Sequence, residues 1–311
     1  MLFRSRGLNH LDDTSRAYRC RDEFAGVVGS YDGVVMHHMP MMEPFSWSNL
    51  NQWSLHPTPL LMMLAALVVY GWAVRSVSSW PVHRTGAFVA GLAVTFLATE
   101  SVIGVYDTYL HAAHMIQHLL LIMVAAPLFA FAAPVELLRQ AVPSSQKVLT
   151  QLPFRIVLHP LVGFGLYAVF IPASHLSGLF DLMLRSMWFH HFEQVAFLVS
   201  GYLFFRHAIG VESDTELHPG LRLVYVMAAV PIDTVTGLAL AMSSHNPFPA
   251  YVQSMRSPVE ILNDIHLGGA IMWIGGDALM LLLLIPLVVR WLAFETQRTK
   301  EIDAELDELG I

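Results

Sequence analysis

Seven apolar runs of about 20 residues constrain this chain more than anything else in its sequence. They lie at 57–75, 84–103, 111–133, 156–174, 188–208, 221–243 and 264–289. Each is long enough to cross roughly 30 Å of hydrocarbon as a helix, the form that satisfies its own backbone hydrogen bonds in lipid. Only short loops and two tails remain of the 311 residues, which leaves no stretch for a separate soluble domain. Composition agrees, with 13% of residues charged and 55% hydrophobic, where ordinary soluble domains carry about 25% charged residues. The expected fold is all-α, a polytopic membrane helix bundle with about seven transmembrane helices. Its predicted divisions are a tail over 1–54, the transmembrane domain over 55–292 and a charged, solvated helical extension over 293–311. The net charge of −7 is spread over tails and loops, so no basic footprint for nucleic acid is present. The one cysteine, Cys20, excludes an internal disulfide framework and a Cys-rich metal clamp.

Orientation follows from counting Lys and Arg in the loops. Arg75, Arg84, Arg139, Lys147, Arg155, Arg206, Arg222, Arg290, Arg298 and Lys300 fall on one side, ten in all, against Arg185 and Arg256 on the other. The rule therefore predicts a cytoplasmic C-terminus and, with seven spans, an N-terminus outside a bacterial plasma (inner) membrane. Arg4, Arg6, Arg16, Arg19 and Arg21 oppose this, but they lie far from the first span, where such charges weigh little. The tail has no long apolar run of the signal-peptide kind, and a translation start at Met36 or another internal methionine stays open.

With that orientation the histidines separate by depth. His56, His111, His114, His118, His175, His190, His191, His245 and His266 fall at the outer ends of spans. His83, His159, His207 and His218 sit singly at the inner ends. In HAAHMIQH, His111, His114 and His118 are three and four residues apart, so they line one helical face with Met115 beside it. Three imidazoles on one stripe of an apolar span are costly without partners. Imidazole suits copper, zinc, iron and nickel, and a thioether favours Cu(I). A single interfacial histidine, by contrast, is satisfied by headgroups or neighbouring helices. The fifth span opens WFHHFEQ, which puts Glu193 on the face of His190, where a carboxylate can fix the tautomer of a ligating imidazole. Asp264 and His266 open the seventh span, completing a candidate metal set of His111, His114, His118, His190, His191, His266, Glu193 and Asp264.

Two acids, Asp233 and Asp277, fall at similar depths inside spans six and seven. They read as proton-relay groups or as a structural hydrogen-bonded pair. Gly268, Gly269, Gly275 and Gly276 permit close helix approach, a matter of packing. The string MHHMPMM at 36–42 reads as an outer copper-capturing tract or as a translation-start artefact.

Three segments carry a family resemblance: AHMIQHLLLIMVAAPLFAFAAP at 113–134, FEQVAFLVSGYLFF at 192–205 and DIHLGGAIMWIGGD at 264–277. Together, over roughly residues 50–290, they resemble the polytopic CtaG type of cytochrome c oxidase assembly protein. The resemblance implies a helical membrane protein that helps to mature a haem–copper oxidase through copper. It marks His114, His118, Glu193, the run from Leu267 to Trp273, and Asp277. The chain departs from the pattern at Gln194, where the family typically has histidine, and at His266, where it often has glutamine. If these positions face each other, a ligand has exchanged helices.

The leading reading is an assembly factor, not an enzyme, that binds copper at the outer His cluster. It would deliver the metal to oxidase subunits, with periplasmic copper chaperones as possible donors. One alternative is a membrane cytochrome with haem held by His118 and by His190 or His191. Another is a copper permease whose path is lined by Asp233 and Asp277.

Overall fold

The computed structural model describes residues 45–215, 217–250 and 256–310. The tail arginines and the 36–42 string lie outside the described residues. Every regular element among the described residues is helical, and no strand occurs. The helices are α1 (Pro57–Arg75), α2 (Val82–Glu100), α3 (Val102–Tyr106), α4 (His111–Leu119), α5 (Ala126–Ala132), α6 (Pro134–Ala141), α7 (Ser145–Leu149) and α8 (Leu152–Val157). They continue with α9 (Pro160–Leu176), α10 (Leu179–Arg185), α11 (Met187–Ile209), α12 (Pro219–Met227), α13 (Val230–Ala241), α14 (Pro258–Ala270) and α15 (Gly276–Leu309). All seven apolar runs fall largely on helix, three of them broken by short turns at Ser101, Leu158–His159 and Ala228–Ala229, and α15 carries the charged C-terminal extension as helix to Leu309.

Among the described residues five helical stretches are long and apolar enough to cross a membrane, or six if the bent pair α9–α10 counts as one span. The difference from seven is α11. It has 23 residues, but His190, His191, Glu193, Gln194, Arg206 and His207 lower its hydropathy. Most of those polar side chains are buried, because α11 packs between α9 and the α4–α5 span. The bundle accordingly buries polar side chains beside its apolar core and is apolar outside. Leu61, Leu64 and Val68 on α1, and Leu281, Ile285 and Val289 on α15, are exposed along whole helix faces. Patches of that size suit acyl chains rather than water.

Two local departures from α-geometry position the interior. The first is a π segment, Leu120–Ala125, that joins α4 to α5. The second, Ile271–Gly275, joins α14 to α15. Each falls inside one of the sequence segments that carry the family resemblance. Such turns admit an extra residue and are frequent at functional sites. The paired glycines act through packing, as expected. A Cβ on Gly269 would meet the backbone of Gly237 and Ala241, and one on Gly268 would collide with the His111 ring.

α4 starts without a local capping residue, since its N-cap is Leu110. Its first amides are satisfied from α14, 2.8 Å from His111 N to Asp264 Oδ2 and 3.1 Å from Ala112 N to Oδ1. A carboxylate there complements the positive end of the helix dipole. Between α9 and α10 the chain bends by 69°. That turn brings Phe180 against the His114 ring and the Met183 sulfur to 3.0 Å from His190 Nδ1.

Candidate metal centre

α4 and α11 meet with their polar faces together. One ligand atom each from His114, His190 and Glu193 lies within 4.8 Å of the others, and all three residues are buried. His114 Nε2 is 3.7 Å from Glu193 Oε2, and His118 Nε2 is 3.8 Å from Glu193 Oε1. These separations are too long for hydrogen bonds. They are close to the spacing of about 3.4 Å between two ligand atoms on one tetrahedral ion with bonds near 2.1 Å. Both ring nitrogens of His114, both of His118, and Glu193 Oε2 are buried without a hydrogen-bond partner among the described residues. Buried polar atoms are rarely left so, because each costs about 1–3 kcal/mol. Neutral imidazoles and one carboxylate are ligands for a borderline transition-metal ion, and the residues fit such an ion.

His190 is held from behind. Its Nε2 lies 2.9 Å from Asp107 Oδ2 and 2.9 Å from the Gln194 amide nitrogen. Gln117 donates to the same Asp107 oxygen at 2.6 Å and to the Ala98 carbonyl at 3.0 Å. A carboxylate behind a histidine is the usual way of fixing the ring of a metal ligand. Sequence reasoning missed Asp107, Gln117 and Met183. Asp107 follows the short helix α3, 83 residues before its partner, where no spacing rule applies.

The remaining predicted ligands go elsewhere. Asp264 spends both oxygens on the α4 amides and also pairs with Arg256 at 2.9 Å, so it is a helix cap. His266 Nε2 reaches the Ser243 carbonyl at 2.7 Å, on the side of α14 that faces the end of α13. Gln194 binds His190, so positions 194 and 266 do not share a site and no ligand exchange between their helices is seen. His111 is fully buried between Phe248 and Phe180, one turn nearer the helix start than His114. His191 lies at the rim beside His56 and 3.4 Å from Gln194. The two intramembrane acids have separate hydroxyl partners. Tyr167 donates to Asp233 at 2.5 Å, and Thr234 donates to Asp277 at 2.9–3.0 Å.

At the other end of the bundle the histidines have ordinary employment. His159 and His218 accept from the amides of Leu161 and Gly220 at helix starts. His207 Nε2 bonds the Leu158 carbonyl, while its Nδ1 is buried without a hydrogen-bond partner among the described residues.

The family model described as cytochrome c oxidase caa3 assembly factor (Caa3_CtaG) matches residues 68–293, which include every residue of the triad. The chain belongs to this family. Within the Caa3_CtaG family segment lie both π segments and the capped start of α4. The chain is also 29% identical over 233 residues to uncharacterized proteins of Mycobacterium bovis and Mycobacterium tuberculosis. A Mycobacterium leprae protein, likewise uncharacterized, is 27% identical over 232 residues. In each case the match takes in 70% of this chain and 35% of the relative, so the chain spans about a third of the length of these relatives. No solved structure matches it.

Proposed function

We propose that this Caa3_CtaG protein is a copper carrier for oxidase assembly. It takes the ion at His114, His190 and Glu193 and passes it to a subunit of cytochrome c oxidase. The observation that carries the reading is the buried His114 ring and Glu193 Oε2, without hydrogen-bond partners among the described residues, at ligand spacing from each other and from the held ring of His190. Imidazole and carboxylate hold copper without the tenacity of thiolates, which suits an ion that must leave again. Chemistry on the oxidase is then left to the oxidase, and this chain acts without turning over a substrate. The loop count favours a bacterial plasma membrane with the His end outside and the C-terminus cytoplasmic. There, periplasmic copper chaperones would be the donors. The haem alternative fits less well, because the cavities beside these histidines measure about 10 and 20 Å³, whereas pockets for organic ligands are roughly 300–1,000 Å³.

The test is a strain that lacks the native gene and carries the full chain with His114→Ala and His118→Ala together. The expected result is normal protein in the membrane with a large loss of oxidase activity and oxidase copper. Normal maturation in that strain would overturn the proposal.

A further inference from the structure

One helical turn deeper than the triad lies a second group of ligands that the triad does not use. His118 is four residues beyond His114, about 6 Å along α4. It lines a cavity of about 20 Å³ together with His175, Met115, Met123, Met272 and Asp233. A volume of that order holds one water-sized occupant.

The donors there are set up for an ion. His175 Nδ1 lies 2.8 Å from the Ile171 carbonyl. A carbonyl only accepts, so Nδ1 carries the hydrogen and Nε2 keeps its lone pair. That Nε2 is buried and has no partner among the described residues, and neither ring nitrogen of His118 has one. The two rings are 5.3 Å apart between centroids. Each π segment contributes one methionine, Met123 from the first and Met272 from the second. A π turn takes more residues than the 3.6 of an α turn. It therefore returns Met123, five residues after His118, toward the face that His118 occupies. Asp233 closes the deep end of the cavity, oriented by the Tyr167 hydroxyl, which also lies 4.0 Å from the Met123 sulfur.

We propose that this cavity is a second metal site, selective for a soft monovalent ion, Cu(I), bound by His118, His175 and the thioethers of Met115, Met123 and Met272. Thioethers select Cu(I) over divalent ions. The single carboxylate of Asp233 balances one positive charge in a region where an uncompensated charge is expensive. His118 stands between the sites, 3.8 Å from Glu193 and beside His175, so it is the side chain over which an ion moves from one to the other. The inference extends the proposed carrier function, but its ligands are different atoms from those of the triad.

The experiment is an anaerobic titration of the full chain in lipid nanodiscs with Cu(I) against a chromogenic Cu(I) chelator. X-ray absorption at the copper edge is recorded on the loaded protein. The wild type is expected to take two Cu(I) per chain. Met115→Leu, Met123→Leu and Met272→Leu combined keep the packing volume, and the uptake should fall from two to one. His114→Ala with Glu193→Gln should also fall to one, and the copper that remains should show sulfur neighbours. Selenomethionine labelling of that last protein leaves the methionines in place and should convert the sulfur shell to selenium, a readout that does not depend on the triple variant folding. Two Cu(I) in the triple-leucine protein, or no sulfur or selenium shell in the His114→Ala/Glu193→Gln protein, would overturn the second site. A wild type with a single copper lost only on triad substitution would overturn it too and leave the carrier proposal standing. A single copper lost only on methionine substitution would do the reverse.

Discussion

The two ends of this bundle both bury polar side chains in an apolar setting, and they handle them in opposite ways. At the end where α11 stops, Arg206 is buried and hydrogen-bonded through every nitrogen of its guanidinium. It donates to Glu212 from Nε at 3.0 Å and from Nη2 at 2.5 Å, to Asp214 at 2.8 Å, and to the Leu158 carbonyl at 3.1 Å. Glu212 accepts in turn from the amides of Val135 and Glu136, capping α6, and Arg139 reaches Asp214 at 2.5 Å. Gly210 takes the left-handed conformation that ends α11, and a side chain there would run into the guanidinium of Arg222. At the end where α4 and α11 begin, the rings of His114 and His118 are just as buried but have no hydrogen-bond partner on any nitrogen among the described residues. The first arrangement ties loops together. The second leaves lone pairs and hydrogens unused, at a cost that the proposed ion would offset. The contrast between the two ends is one of hydrogen-bond satisfaction at equal burial, with His207 Nδ1 the exception at the first end, buried without a hydrogen-bond partner among the described residues.

Substitutions can break this contrast. The largest effect belongs to Arg206→Met, which leaves Glu212 buried and unpaired. It should destabilise the protein by about 3–5 kcal/mol, seen as a drop in thermal unfolding temperature in detergent. His114→Leu should have the opposite sign in metal-free protein. It removes two unsatisfied buried atoms, so stability should hold or rise by about 1–3 kcal/mol, while stabilisation by added copper should disappear. A metal-free loss as large as that of Arg206→Met would mean the ring has a structural role. Asp264→Asn sits between the two ends of the argument. It keeps a capping oxygen but removes the charge that meets the α4 dipole, and should cost about 1 kcal/mol with copper uptake little changed. A loss of uptake without loss of stability would return Asp264 to the ligand set.

The smallest effect is one of pH. Burial pushes the Asp214 carboxyl up, but the hydrogen bond from Arg139 and the charges of Arg206 and Arg139 outweigh it and hold the group below its ordinary range. Its contribution to stability is therefore complete above the unfolded value of about 4 and is lost as the pH falls through the lower folded value. Acid titration of unfolding should show a step that Asp214→Asn removes, with the copper site unaffected. An identical acid profile in the variant would show that Asp214 does not tie this loop.

Most of the fold was legible because lipid imposes a length on each apolar run and the helix imposes a period on its faces. The grouping of His114, His118, His190 and Glu193 as candidates was legible for the same reason, since spacings of three and four residues put side chains on one face. The residues that complete the site were not. Asp107, Gln117 and Met183 reach it by tertiary packing, from a loop end, the flank of α4 and the bent helix α10. Asp264 and His266 show the converse. Both begin a span near the histidines, yet one caps α4 across 153 residues and the other turns to the Ser243 carbonyl. Proximity in depth does not fix direction around a helix axis. His175 was visible as an outer histidine, but its readiness as a ligand comes from the Ile171 carbonyl, a contact only the folded helix makes.

The central claim is that the unpartnered histidine end, and not the satisfied one, holds copper. The direct measurement is the copper content per chain of full-length protein purified from copper-replete membranes, with variants at both ends. Glu193→Gln and His114→Ala should each carry one copper fewer than wild type, and His159→Ala and His218→Ala should carry the same amount as wild type. Equal copper in all four variants, or a loss confined to the His159 and His218 variants, would contradict the account.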